Sequence, residues 1–134
     1  IITDPVFEKY YGYFGFGTKK YIEPPLKLKE LPEINLFLLT HNHYDHLSTR
    51  TIQRFPFKKA KVLAPLKLGN YFTKNGFSDV LEMDWYNVIN YKDLKFMWIR
   101  SIMILSRKKA IFLAIEDRVN YMKKITVDVY LLLA

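Results

Sequence analysis

The chain has 134 residues, of which 50% are hydrophobic and 25% charged, a composition typical of one globular domain rather than of a disordered or fibrous protein. It contains no cysteine, which excludes disulfides, thiolate metal sites and thiol nucleophiles. Its formal net charge of +8 favours anionic partners such as phosphate esters, nucleic acid or an acidic membrane face. No apolar run reaches the roughly 18–20 residues that cross a bilayer, so we expect a cytoplasmic protein, with contact at a membrane surface as an option.

The first part of the chain predicts a strand end, a loop and a rigid connector. Ile1–Thr3 has the apolar character of a strand, and Asp4-Pro5 ends it. Aromatic residues and glycines follow one another too irregularly over Tyr10–Gly17 for a helix or a strand. We interpret this run as a packed surface loop, with a hydrophobic flap that faces a substrate as the alternative. Glu23–Pro25 is predicted to be an extended connector.

The next part predicts a buried strand followed by a short helix. Ile34–Thr40 is a nearly continuous apolar run of strand length, which is typical of a strand buried on both faces. A helix is predicted from Ser48-Thr49 to about Phe55, because Ser48 can cap its N-terminus and Pro56 stops it.

Further strands and a helix alternate after this point. Lys61–Ala64 and Val80–Met83 are predicted strands, and Leu66–Asn75 between them is a predicted helix that ends at Gly76. The alternation is typical of the α/β class. Beyond Tyr91 three more strands are predicted, at Leu94–Leu105, Ala110–Ile115 and Ile125–Leu133.

The candidate functional site is the segment His41–His46, directly after the buried strand. It holds all three histidines of the chain and an aspartate, residue types that bind zinc or iron. His41 and His43 can face one ion, and Asp45 and His46 a second. Two ions about 3.5–4 Å apart generate hydroxide for hydrolysis. Because α/β proteins bind ligands at the carboxyl ends of their strands, we predict that the four side chains converge on one concave spot there.

This His-x-His-x-Asp-His pattern after an apolar strand resembles the signature of the metallo-β-lactamase superfamily of metallohydrolases. The flanking sequence resembles one branch of it, the N-acyl-phosphatidylethanolamine-hydrolysing phospholipase D-like proteins, with the ascorbate-phosphate lactonases as cousins. The matching stretches are Thr3–Phe7, Phe16–Lys20, Glu23–Pro25, Leu31–Ile34 and His41–Leu47. The resemblance implies an αββα sandwich of two β-sheets, of which this chain would hold a part, truncated at both ends.

The resemblance also implies a role for each site residue. His41 and His43 would bind the first zinc ion, and Asp45 and His46 the second. Asp45 would in addition act catalytically, by orienting the attacking water and accepting its proton. Asp4 stands where the family has an aspartate that braces the metal loop. The implied substrate is a small molecule or phospholipid with a phosphodiester or lactone bond, and the rings of Tyr10–Phe16 could line the path of its apolar tail.

The pattern of the family stops abruptly near Phe96. We therefore divide the chain into a metallo-β-lactamase-like part, residues 1–96, and a divergent segment, residues 97–134, that a shifted reading frame or degraded sequence would explain. No histidine follows His46, and Asp117 only faintly matches the family's bridging aspartate. Each ion would keep about two protein ligands, so we expect weak or no zinc binding and a poor catalyst, unless a complementing chain supplies the rest.

Three interpretations of function remain open. The first is an active dinuclear hydrolase of the phospholipase D-like kind. The second is a non-catalytic remnant, or one half of a split enzyme that a complementing chain or a second copy completes. The third is a lactonase or nucleic-acid-processing relative; the net charge favours nucleic acid, but the sequence shows no basic stripe and no RNA-binding motif.

Overall fold

The computed structural model describes the backbone of residues 1–12, 17–102 and 109–116, and the side chains of residues 1–12 and 17–98. The chain divides into two compact units, residues 1–82 and 83–134. Three features from the sequence lie outside the described residues: the middle of the aromatic run, Asp117, and the strand predicted over Ile125–Leu133. Within the described ranges, no helix has both the length and the apolar character that crossing a bilayer requires.

The N-terminal segment forms three short strands and one helical turn. Strand β1 (Ile2–Thr3) confirms the predicted strand end. Strands β2 (Tyr10–Tyr11) and β3 (Thr18–Lys19) pair antiparallel, with Tyr10 opposite Lys19, so the interpretation of the run Tyr10–Gly17 as a loop is wrong at Tyr10–Tyr11. The pairing brings the Tyr11 carbonyl so close to Gly17 that a Cβ there would lie 1.6 Å from it. A single 3-10 turn follows at Leu28–Glu30.

The central part of the first unit alternates strands and helices, which confirms the α/β class. Strand β4 (Leu36–Leu38) lies within the predicted buried run, and helix α1 (Thr49–Arg54) follows it. Ser48 caps α1 as predicted, because its hydroxyl accepts a hydrogen bond from the Thr51 N–H at 3.1 Å. Strands β5 (Lys61–Pro65) and β6 (Val80–Met83) confirm two further predictions.

The helix between β5 and β6 is shorter than predicted. Helix α2 (Asn70–Thr73) covers four residues of the expected Leu66–Asn75. Lys67 adopts a left-handed φ of 68°, which a continuous right-handed helix cannot contain. The Glu82 carboxylate then accepts a hydrogen bond from the Gly69 N–H at 2.8 Å, directly before α2 begins. A contact from a distant strand thus sets where the helix starts.

The first sheet places β4 at its centre, in the order β1-β4-β5-β6. Strand β4 is parallel to both β1 and β5, and Thr3 lies opposite Leu38. The four residues Leu36 to Leu39 are at most 1% exposed, which confirms that this strand is buried on both faces. The ring of Phe37 contacts three other aromatic rings of the core edge-on, those of Phe55, Phe72 and Phe77.

The described part of the second unit is an antiparallel sheet of three strands. These are β7 (Val88–Tyr91), β8 (Leu94–Ile102) and β9 (Lys109–Glu116), in that order across the sheet. Strands β8 and β9 confirm two predicted strands, although residues 103–105 lie outside the described residues. Strand β7 was not predicted, because its four residues are too few for a clear period and its side chains are exposed or half-buried.

Candidate metal centre

The predicted ligands lie at the carboxyl edge of the first sheet. Because β1 and β4 are parallel, the residues that follow each strand meet there. The Asp4 N–H donates to the Leu38 carbonyl at 2.9 Å, and the Thr40 N–H donates to Asp4 Oδ1 at 2.7 Å. These two bonds join the chain after β1 to the start of the histidine segment.

The segment of residues 41–46, which we call the metal loop, is held at both ends. The His43 carbonyl accepts hydrogen bonds from the His46 N–H at 3.0 Å and the Leu47 N–H at 2.7 Å, so the loop closes on itself as a turn. The Leu47 side chain is buried in the hydrophobic core, and Ser48 begins helix α1. The loop is therefore short, turned and anchored, which fixes where its side chains can project.

His41 and His43 present two ring nitrogens to each other. His41 Nε2 lies 3.1 Å from His43 Nδ1. On the other side of the His41 ring, Nδ1 lies 2.8 Å from Thr40 Oγ1. The Thr40 hydroxyl donates its single proton to Asp4 Oδ2, so it accepts the hydrogen bond from His41 Nδ1–H. This arrangement leaves His41 Nε2 with its lone pair directed towards His43.

His46 is oriented in the same way by the same aspartate. His46 Nδ1 lies 2.8 Å from Asp4 Oδ2, and its Nε2 lies 3.4 Å from Asp45 Oδ2. The side chain of Asp4 is 5% exposed, whereas that of Asp45 is 55% exposed. One buried carboxylate thus fixes the tautomers of His41, through Thr40, and of His46 directly. These contacts are of the kind that the family resemblance implies for Asp4, whose role as a brace behind metal ligands stays a prediction.

The backbone of Asp4 is itself unusual. Its φ of 45° lies in the left-handed region, which costs free energy for residues other than glycine but which aspartate tolerates better than most. The contacts with Leu38, Thr40 and His46 together hold this conformation.

The donor atoms lie close enough together to be candidate metal ligands. Tetrahedral zinc with Zn–N distances of about 2.0–2.1 Å places neighbouring nitrogens about 3.3–3.4 Å apart. The His41–His43 separation of 3.1 Å and the Asp45–His46 separation of 3.4 Å are both close to that value. Two overlapping triads, Asp4-His41-His46 and His41-His43-Asp45, each have ligand atoms within 4.8 Å of one another. The structure therefore places the side chains of His41, His43, Asp45 and His46 close together, but the two triads do not separate them into the predicted pairs, so the assignment of each residue to one ion stays a prediction.

The two histidines next to Asp4 differ in their affinity for protons. Burial, with the nearby His46 and His43 rings, lowers the pKa of His41 despite the opposing carboxylates. Burial also opposes protonation of His46, but the hydrogen bond that its Nδ1–H donates to Asp4 and the charges of Asp4 and Asp45 outweigh this effect and raise the pKa of His46.

Two residues that contribute to the site were not singled out in the sequence. Thr40 links Asp4 to His41, and its only sequence signal is its position as a hydroxyl residue at the end of the apolar run Ile34–Thr40. Glu8 accepts hydrogen bonds from Thr51 Oγ1 at 2.9 Å and from the Ser48 hydroxyl, so it ties the N-terminal segment to the start of α1. The contact spans 43 residues, and no local pattern predicts it.

Comparison with known proteins agrees with this geometry. Residues 1–107, which are most of the chain, match the family described as the beta-lactamase superfamily domain. The chain belongs to the metallo-β-lactamase superfamily. The predicted family resemblance is thus confirmed, and the parallel sheet is that of a partial metallo-β-lactamase fold.

One curated relative supports the predicted branch. The mitochondrial N-acyl-phosphatidylethanolamine-hydrolyzing phospholipase D of Saccharomyces cerevisiae is 30% identical over 93 residues, which are 69% of this chain and 20% of the yeast protein. The chain therefore spans about a fifth of the length of that relative.

Two solved structures share the fold. A possible metal-dependent hydrolase from Veillonella parvula superposes with a TM-score of 0.66 and 17% identity, covering 87% of this chain and 51% of that one. A diiron β-hydroxylase from Streptomyces venezuelae superposes with a TM-score of 0.54 and 23% identity, over 95% of this chain and 28% of that one.

Proposed function

We propose that the metal loop is the first half of the ligand set of a metal-dependent hydrolase, with zinc as the metal. The observation that carries the proposal is the bracing by Asp4, which directs a lone pair from His41 and another from His46 into the loop. A histidine held through its second nitrogen by a carboxylate is the usual arrangement of a metal ligand.

Each loop residue has a part in the proposed chemistry. His41 with His43, and Asp45 with His46, would each hold one ion. When bound, such ions act as Lewis acids that lower the pKa of water and polarise the bond to be cleaved. The half-exposed carboxylate of Asp45 can accept a hydrogen bond from a water molecule, align it and take its proton. Asp4, being buried and fully engaged, keeps the rings of His41 and His46 in place.

The proposed substrate is a phosphodiester, in particular that of a phospholipid. The support comes from the yeast relative, whose name describes hydrolysis of N-acyl-phosphatidylethanolamine, and from the net charge of +8, which attracts a phosphate group. A lactone is the alternative that the cousin family suggests.

The proposal includes incomplete metal binding by this chain alone. All three histidines lie in the metal loop, so each ion receives about two protein ligands rather than the three usual for catalytic zinc. We propose that efficient hydrolysis requires a complementing polypeptide, or a second copy, that supplies further histidine and carboxylate ligands.

Metal titration tests the ligand assignment. Zinc, iron and manganese are added separately to the purified metal-free chain, and affinity and stoichiometry are measured by calorimetry. We expect weak binding that His43→Ala reduces by more than the roughly 10–100-fold typical of residues behind the ligands. Asn42→Ala, an exposed neighbour in the same loop, is the matched control and should bind like the parent. Equal binding by parent and His43→Ala would overturn the assignment. Tighter binding of iron than of zinc would overturn the choice of metal.

An activity assay tests substrate and completeness. The metal-loaded chain is incubated with N-acyl-phosphatidylethanolamine, a soluble phosphodiester and a lactone, each with and without the C-terminal part of an intact relative. We expect turnover of phosphodiesters only with the added part, and its loss in His43→Ala. Turnover of the lactone alone would move the assignment to the cousin family. Full turnover by the chain alone would contradict the proposed incompleteness.

A further inference from the structure

A second feature of the first unit is an open cleft rich in positive charge. It has a volume of about 780 Å³, and none of the metal-loop residues line it. Two acidic residues line it, Glu8 and Glu23, together with six cationic ones, which are Lys9, Lys19, Lys20, Lys27, Lys29 and Arg54. Among the residues that the structure describes, none of these six cations lies within 4.0 Å of a carboxylate oxygen. The lining of the cleft therefore carries an excess of positive charge.

The cleft is built on a fixed scaffold. Its floor includes Phe7 and Leu28, both of which pack against the hydrophobic core of the first unit. The β2–β3 pair carries Lys19, and the Lys20 N–H donates to the Lys9 carbonyl at 2.9 Å. The Glu30 carboxylate accepts a hydrogen bond from the Lys27 N–H at 2.9 Å and holds the 3-10 turn. The lysines thus project from held backbone rather than from a free tail.

Lys20, one of the cations that line the cleft, is partly buried. Its ammonium group donates to the Val6 carbonyl and lies 4.8 Å from the centre of the Tyr11 ring. Burial lowers the pKa of Lys20, although the nearby Glu8 opposes this. An approaching anion stabilises the charged form of such a partly buried ammonium group. The attraction is stronger there than in bulk water, because less water screens the two charges.

Apolar side chains project directly beside these cations. Tyr21 is 99% exposed and Ile22 is 83% exposed, the highest values among the large hydrophobic side chains of the described residues. They lie between Lys20 and Glu23, in the segment of residues 19–29 that we call the cationic segment. Exposed aromatic and aliphatic side chains next to lysines are typical of a surface that enters a membrane interface. A nucleic-acid site would use the charge but would leave Ile22 without a partner.

We infer that the cationic segment and its cleft dock the protein on a bilayer that contains anionic phospholipids, with Tyr21 and Ile22 entering the headgroup region. The lysines contact lipid phosphates, and the side chains of Tyr21 and Ile22, which we call the apolar tip of the cationic segment, leave water. The binding surface does not include the metal loop, so it operates with or without metal. This surface would hold the chain at the membrane where phospholipid is found. The membrane-binding inference does not depend on the proposed hydrolytic function.

Vesicle sedimentation tests the charge of the cleft. The full chain is mixed with phosphatidylcholine vesicles, with or without phosphatidylserine. Each lysine near such a surface contributes about 1 kcal/mol, or about 5-fold in partitioning, so Lys19→Gln with Lys27→Gln should weaken binding roughly 30-fold. The matched control is Lys59→Gln with Lys74→Gln, which removes the same charge from exposed positions outside the cleft. Equal loss in both double variants would show only diffuse attraction and overturn the inference.

A second pair of measurements tests the apolar tip and the alternative partner. Tyr21→Ser with Ile22→Ser should weaken vesicle binding by on the order of ten-fold, and should do so even at about 1 M salt, where screening suppresses the charge contribution. No change in this variant would overturn the membrane assignment. The same variants are titrated with a single-stranded oligonucleotide. Loss of oligonucleotide binding in the cleft variant, with vesicle binding retained, would make the cleft a nucleic-acid site instead. Melting curves of all variants confirm that the fold is intact.

Discussion

The metal loop and the cationic segment belong to the same compact unit. They differ in how firmly the protein holds the side chains that would bind a partner. In the metal loop, His41 and His46 are hydrogen-bonded through Thr40 and Asp4, and Leu47 fixes the loop to the core. In the cationic segment the backbone is held, but Tyr21 and Ile22 project into solvent. The first arrangement has its geometry set in advance, as a site for small ions requires. The second arrangement leaves its side chains exposed and available to a large and adaptable partner.

The difference has a physical origin in what each region must recognise. A metal ion tolerates errors of only a few tenths of an ångström in ligand position, so its ligands are braced by a buried carboxylate. A bilayer surface has no fixed atomic arrangement, so charge and exposed apolar area matter more than exact placement. Four variants, taken in order of expected effect, probe this contrast.

The largest effect is expected from the core beneath the metal loop. Phe37→Ala removes a ring that is 1% exposed at the centre of the aromatic cluster, and should lower the free energy of unfolding by about 3–5 kcal/mol. Leu26→Ala, at a position 42% exposed in the cationic segment, should cost less than about 1 kcal/mol. Urea denaturation measures both. Similar losses would show that the two regions are equally packed.

The next effect concerns the brace of the metal loop. Asp4→Asn keeps the size of the side chain but loses the charge that orients His46 and, through Thr40, His41. We expect metal affinity to fall about 10–100-fold, measured by calorimetric titration. Asp79→Asn, whose carboxylate contacts Lys61 on the same sheet, is the control and should leave metal affinity unchanged. A normal affinity in Asp4→Asn would mean that the loop is ordered without its carboxylate.

A smaller effect is expected at the cap of α1. Ser48→Ala removes the acceptor of the Thr51 N–H and should reduce stability by about 1 kcal/mol in thermal or urea unfolding. Ser78→Ala, at an exposed loop position, should change it by less than about 0.5 kcal/mol. If both variants unfold alike, the cap contributes nothing to the anchoring of the metal loop.

The smallest effect on stability is expected at the tip of the cationic segment. Ile22→Ser should change the free energy of unfolding by no more than about 0.5 kcal/mol, because its side chain is 83% exposed and has little packing to lose. A loss above about 1 kcal/mol would show that Ile22 supports the fold, and the contrast between the two regions would fail.

The sequence by itself determined the features that depend on neighbouring residues. The buried strand β4 follows from a run of apolar residues, and the start of α1 follows from Ser48. The position of the candidate ligands also follows from the sequence, because His41, His43, Asp45 and His46 all lie within one short segment. Such patterns are readable because the side-chain period and the cap are local properties of the chain.

Tertiary structure alone decided the features that join distant residues. Asp4 meets His46 across 42 positions because parallel pairing brings β1 beside β4, and this contact sets the direction of the ring nitrogens. The left-handed Lys67 and the Glu82 contact shorten α2 against its local propensity. The cleft gathers cations from Lys9 to Arg54 that are scattered in the sequence. Strand pairing and packing are non-local, so no pattern in a short window of sequence contains them.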